Sequence, residues 1–165
     1  ISGVVLVSSR SRLFTLPVTP NSNALESQML LREKDFTKRN KGAKIFTQLL
    51  TFRPIEERVY DILKLSNLMV PPYVREFMAK PVLDNNSKVI SSYSSLISKI
   101  KVPLSVIVGG KDSIRDTKIL VQAFRKALPQ AEIINYDDVG HSPHLEDSSR
   151  FNDELIRIAK KNSIN

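Results

Sequence analysis

The spacing of apolar and polar residues changes character twice along this chain. Ser2 to Ser9, SGVVLVSS, is a continuous β-branched run bounded by small residues, which predicts a fully buried strand of a parallel sheet. Arg10 to Asn23, with Pro17, Pro20 and two asparagines, reads as a connection. From Ala24 to about Lys80 the period becomes helical. Leu25, Met29 and Phe36 fall near one face of a first predicted helix, and Ile45, Phe46, Leu49 and Leu50 form the stripe of a second. Pro54 suits the first turn of a third, carried by Val59, Ile62, Leu63 and Leu65 and stopped by Pro71 and Pro72. Tyr73 to Ala79 predicts a short helix before Pro81, and Ser87 to Lys99 offers one more stripe through Val89, Ile90, Tyr93, Leu96, Ile97 and Ile100.

At Val102 the texture reverts. Val102 to Val108 predicts a buried strand ending in Gly109 and Gly110, and Thr117 to Leu128 an amphipathic helix with Ile119, Leu120, Val121, Phe124 and Leu128 inward. Ala131 to Tyr136 is the next strand. A loop, DDVGHSPHLED, leads to a closing helix from Ser149 to about Lys161, with Phe151, Leu155, Ile156 and Ile158 apolar. The order strand, helical block, strand, helix, strand, helix implies an α/β fold with parallel strands, right-handed crossovers and helices packed on the sheet faces.

Composition narrows the function classes. The 165 residues suit one domain, or one domain carrying an insertion, and 41% hydrophobic with 25% charged residues is globular rather than disordered. Cysteine is absent, which excludes disulfide frameworks, cysteine nucleophiles and thiolate metal sites. No apolar run approaches the ~20 residues of a membrane span, and no secretory signal pattern opens the chain, so a cytoplasmic protein is expected. A first residue of Ile rather than Met is expected of a fragment or a processed product. The net charge of +8 is concentrated early: residues 1–100 hold 15 Lys and Arg against 8 Asp and Glu, and residues 101–165 hold 10 against 9. Its densest stretch, Arg32, Lys34, Lys38, Arg39, Lys41 and Lys44, is interleaved with Glu33 and Asp35 and lacks zinc-finger or RNP-type companions. It reads as a solvated helical face, and no nucleic-acid partner is expected.

In an open parallel sheet, catalytic groups collect beyond the carboxyl ends of the strands. Two loops stand there. Gly109-Gly110-Lys111-Asp112 uses glycines to turn sharply and expose the next carboxylate; Gly140-His141-Ser142-Pro143-His144 follows the last predicted strand. One helix and one strand separate Asp112 from His141, so adjacent strand ends would bring carboxylate and imidazole together. A carboxylate on one imidazole nitrogen fixes the tautomer and leaves the other nitrogen free to take a proton from a nucleophile. His144 adds a second imidazole without a further ligand nearby, so no metal is expected.

VPLSVIVGGKD resembles the strand and turn that bear the triad acid in the α/β-hydrolase family, and LPQAEIINYDDVGHSPHLEDSSRFNDELIRI resembles that family's final strand, histidine loop and last helix. SGVVLVSS is similar to the strand after the nucleophile region. The resemblance implies the C-terminal half of an α/β-hydrolase parallel sheet, three strands with flanking helices, with an inserted all-helical cap. Residues 1–18 would be core, 19–100 cap, and 101–165 the core carrying Asp112 as triad acid and His141 as general base. The position used by some members for the acid reads Ser8-Ser9-Arg10, without a carboxylate. The nucleophile elbow G-x-S-x-G is absent: the five glycines, Gly3, Gly42, Gly109, Gly110 and Gly140, include no pair four apart.

The implied function is a serine hydrolase of carboxylesterase or lipase type, with its nucleophile upstream of Ile1 and no cofactor. The chain alone is then expected to be inactive and to need an N-terminal half, covalent or as a second chain, which would also cover the edge of the Val4 strand. Leu49, Phe52, Leu68 and Met69 of the cap are candidate contacts for the ester substrate. Two alternatives stay open. One is an epoxide hydrolase-like member using phenols among Tyr60, Tyr73 and Tyr93; the other is a catalytically inactive binding module.

Overall fold

The computed structural model describes residues 3–8, 21–83 and 99–163. Three parallel strands, β1 (Val4–Val7), β2 (Leu104–Gly109) and β3 (Glu132–Tyr136), lie side by side in that order. Val4 pairs with Leu104 and Val7 with Ile107 on one side of β2; Ser105 pairs with Glu132 and Gly109 with Tyr136 on the other.

Side chains alternate across the sheet, as a two-residue period requires. Leu104, Val106 and Val108 face one layer with Val4, Leu6 and Ile133, where α5 (Thr117–Ala127) supplies Leu120 and Phe124. Ile107, Val5, Val7 and Ile134 face the other, against Phe151, Leu155 and Ile158 of α7 (Ser148–Ser163). Coverage on both faces explains why β2 is buried throughout and reads as one apolar run. β1 was expected to be fully buried, yet its four residues are only half-buried because it lies at a sheet edge. Ile119, expected inward, is exposed on its helix, and so is the apolar Ile156 on α7.

The helical block contains α1 (Ser22–Leu30), α2 (Phe36–Leu49), α3 (Glu57–Met69) and α4 (Pro72–Leu83). Phe36 belongs to α2, not to the first helix, because the Asp35 side chain accepts the Lys38 N–H at 2.8 Å and caps a new helix. Met29 and Phe36 are 64% and 63% exposed, and Leu25 is exposed as well. The face actually buried on α1 is Ala24 and Ser27, continued by Leu31 beyond the helix and packed on Gly42 and Ala43 of α2. The two backbones come so close that a Cβ on Gly42 would lie 2.7 Å from Leu30 Cβ and 3.0 Å from Ser27 O.

α3 starts three residues after Pro54, which stands in the preceding connection, and buries Leu68 rather than Ile62 or Leu65. Pro72 opens α4 at the first helical position, where its missing N–H leaves no bond unmade, and the helix continues through Pro81. Of the last predicted stripe, Val89 to Ile97 lie outside the described residues, while Ile100 packs against the Leu104, Val106 and Val108 layer.

The basic stretch is spread over the outer surface of this block. Lys38 meets Glu33 at 3.6 Å, Lys41 meets Glu26 at 2.8 Å, and Arg39 donates to the Leu68 carbonyl at 3.1 Å. Among the described residues, no helix is long and apolar enough to cross a membrane.

Candidate active site

Parallel pairing of β2 with β3 puts their carboxyl ends at one edge, and the loops that follow are joined by backbone bonds. Gly110 N–H donates to Tyr136 O at 2.7 Å and Lys111 N–H to Val139 O at 2.9 Å. The glycine turn expected here forms, with Asp112 N–H returning to Gly109 O at 3.3 Å, although no glycine among the described residues has positive φ. Close approach is what Gly109 permits: a Cβ there would stand 1.8 Å from Gly140 O and 2.6 Å from Val139 O. Thr117 Oγ1 donates to the Gly109 carbonyl at 2.6 Å and holds the turn from the other side.

This seam brings the two predicted residues together. Asp112 Oδ2 lies 2.7 Å from His141 Nδ1. Asp112 Oδ1 accepts the N–H groups of Ile114 at 2.7 Å and Arg115 at 3.1 Å, so both oxygens are engaged and the carboxylate is fixed in orientation. The Asp112 side chain is 3% exposed, buried rather than presented to solvent as the sequence suggested, and His141 is 22% exposed. An ionised Asp112 keeps the imidazole proton on Nδ1, leaving Nε2 with a lone pair. At the end of β1, where an alternative acid would sit, Ser8 is buried and donates its N–H to Ile107 O.

Two polar residues that the sequence did not single out organise the histidine loop. The short helix α6 (Pro143–Glu146) carries Glu146, whose carboxylate accepts N–H groups from Gly140, Ser142, Phe52 and Arg53. Arg53 in turn pairs with Asp147 at 3.3 Å and also with Asp138. The only sequence signal was an acid five residues beyond His141 in a segment read as loop. His144 packs its ring 5.9 Å from Phe151; burial first, and then the neighbouring His141, lower its pKa below the ordinary imidazole value, against an opposing pull from Glu146. No cluster of three or more metal-ligating side chains occurs among the described residues.

The helical block rests on both loops. Asn21 Nδ2 donates to Ser113 O at 3.0 Å, and Ala24 and Leu49 pack on Ile114 of the acid loop. Of the four candidate substrate contacts, Leu49 is therefore buried in this junction, and Leu68 is buried among Leu31 and Ala43 within the helical block. Phe52 and Met69 are open, at 57% and 74% exposure. Lys111 Nζ lies 5.9 Å from the Phe52 ring, which places that ring beside the acid loop. Tyr60 donates to the Lys44 carbonyl at 3.4 Å, Tyr73 is exposed, and Tyr93 lies outside the described residues.

No protein-family profile matches the chain. Lipase 1 of Psychrobacter immobilis is 27% identical over 100 residues, covering 54% of this chain and 31% of the lipase. A Burkholderia cenocepacia protein described as an aryl esterase superposes over 100% of this chain and 57% of its own, with a TM-score of 0.82 at 20% identity. An esterase from a Rhodococcus species covers 95% of this chain and 55% of its own, with a TM-score of 0.71 at 19% identity. An esterase from Exiguobacterium antarcticum covers 96% and 57%, with a TM-score of 0.65 at 15% identity. The chain thus spans a little over half the length of these structures and under a third of the lipase.

Proposed function

We propose that this chain, which has the α/β-hydrolase fold, provides the acid and base of a serine hydrolase that cleaves a small or medium acyl ester. The 2.7 Å contact between Asp112 Oδ2 and His141 Nδ1 carries the reading, supported by the fold shared with esterases. The chain's own sequence has no G-x-S-x-G, so the nucleophilic serine is assigned to a portion of the protein outside these 165 residues, beside the edge strand β1.

Asp112 holds His141 in the tautomer with Nδ1 protonated and stabilises the imidazolium that forms. His141 Nε2 takes the serine proton as the hydroxyl attacks the ester carbonyl, then gives it to the departing alcohol. Water deprotonated by the same nitrogen releases the acid from the acyl-enzyme. The scheme uses no cofactor. Residues 19–100 act as the cap, with Phe52 beside Lys111 of the acid loop.

A nitrophenyl ester assay on the intact reading frame, beside His141→Ala, tests this. Hydrolysis that collapses on substitution supports the assignment. Equal rates in the two proteins would remove His141 from the chemistry.

A further inference from the structure

We infer that Glu146 is a positioning residue that holds the cap segment Thr51–Arg53 and the histidine loop Gly140–Ser142 as one unit, so that shifting the cap and misplacing His141 are a single event. The inference rests on the hydrolase reading only for the role of His141; the linkage itself stands on separate observations.

One carboxylate gathers four amides from two segments that lie 87 to 90 residues apart in the chain. Oε2 accepts from Phe52 N and Arg53 N, each at 2.8 Å, and the same group accepts from Gly140 N at 3.0 Å and Ser142 N at 3.4 Å. The junction is direct. A Cβ on Gly140 would meet Phe52 N at 2.6 Å and Glu146 Oε1 at 2.9 Å, so there is no room for a bridging water.

α6 exists at this point to deliver the carboxylate: Leu145 N–H and Glu146 N–H both return to Ser142 O, at 2.9 and 3.1 Å, folding the chain back over its own loop. Bonds from N–H groups to an ionised acceptor are the stronger kind, and losing the acceptor leaves several donors unpaired at once. His141 lies between two of the tethered residues, and the Phe52 ring beside Lys111 is carried by the third.

Amide exchange by NMR on the intact reading frame tests the linkage without relying on turnover. In Glu146→Met, which keeps the side-chain length but removes both acceptor oxygens, the amides of Phe52, Arg53, Gly140 and Ser142 are expected to exchange about tenfold faster or more, together, while those of Val106 and Ile107 in β2 keep their protection. Ester hydrolysis should then lose about tenfold in kcat with KM changed less than about threefold, the signature of misplacement rather than lost binding. Arg53→Met removes the ion pairs to Asp138 and Asp147 but keeps the residue 53 amide, and should leave all four amides protected.

Release of one segment without the other, or equal release in Arg53→Met, overturns the inference. If Glu146→Met does not fold, Gly140→Ala serves in its place, since its added methyl must part the same segments; unchanged protection at Phe52 and Arg53 there overturns it too. An intact frame without esterase activity sinks the hydrolase reading and leaves the exchange result to stand or fall alone.

Discussion

Asp112 divides its two oxygens between two tasks: Oδ1 closes the turn on the amides of Ile114 and Arg115, and Oδ2 lies 2.7 Å from His141 Nδ1. Asp112→Asn separates them. An asparagine can keep its carbonyl on the turn, but its amide then presents a donor to Nδ1 and forces the proton to the other ring nitrogen, where a base needs a lone pair. In the intact frame kcat should fall about 10³ to 10⁴-fold with the thermal midpoint within a few degrees, as for the wrong tautomer in other triads. Undiminished turnover would show that the pair is structural only.

Gly109 should be more sensitive than its neighbour. An added methyl would lie 1.8 Å from Gly140 O and 2.6 Å from Val139 O, both backbone atoms that no rotamer change can move aside. Gly109→Ala must therefore part the acid and histidine loops and strain the Lys111 N–H to Val139 O bond. Overpacking of this kind costs about 1 to 3 kcal/mol, and a displacement near 1 Å costs about 100-fold in rate. Gly110→Ala, whose methyl would meet Asp137 Cα at 2.8 Å, should do less of both. Chemical denaturation and ester turnover on the two variants check the ranking.

How far the sequence could be read depended on how each contact is made. β2 was legible because a strand covered on both faces is a continuous apolar run, and the span from Asp112 to His141 fits one helix and one strand. The α1–α2 pairing was misread because it is made by Ala24, Ser27, Gly42 and Ala43, whereas periodicity weighs large apolar residues and so chose Leu25, Met29 and Phe36. Glu146 escaped notice for a different reason. It acts on backbone amides, which every residue offers, and half of them come from a distant segment.

Gly42 sets two effects against each other. In an open helix position, Gly→Ala stabilises by about 1 kcal/mol through propensity alone. Here the new methyl would press on Leu31 N and Ser27 O, each at 3.0 Å, as well as on Leu30 Cβ. Two of the three neighbours are backbone, so overpacking of about 1 to 3 kcal/mol prevails. Gly42→Ala should accelerate limited proteolysis within residues 22–50 while β2 stays protected. A gain in resistance would mean that α1 and α2 pack less closely than described.

His144 gives the histidine loop a pH dependence of its own. Its ring packs against Phe151, and burial, followed by the charge on neighbouring His141, holds its pKa below 6.5 in the folded protein. The unfolded chain therefore binds this proton more readily than the folded one. The contribution to stability is fully present above about pH 6.5, is lost as the pH falls toward the folded value, and changes no further below it. His144→Gln keeps a polar side chain of similar length without titrating in that window. Urea midpoints of the intact frame measured from pH 7.5 to 5 should fall less steeply for His144→Gln than for the unaltered protein, with the curves converging in slope at the acid end. Parallel curves across the whole range would mean that His144 is as free to protonate in the folded protein as in the unfolded chain.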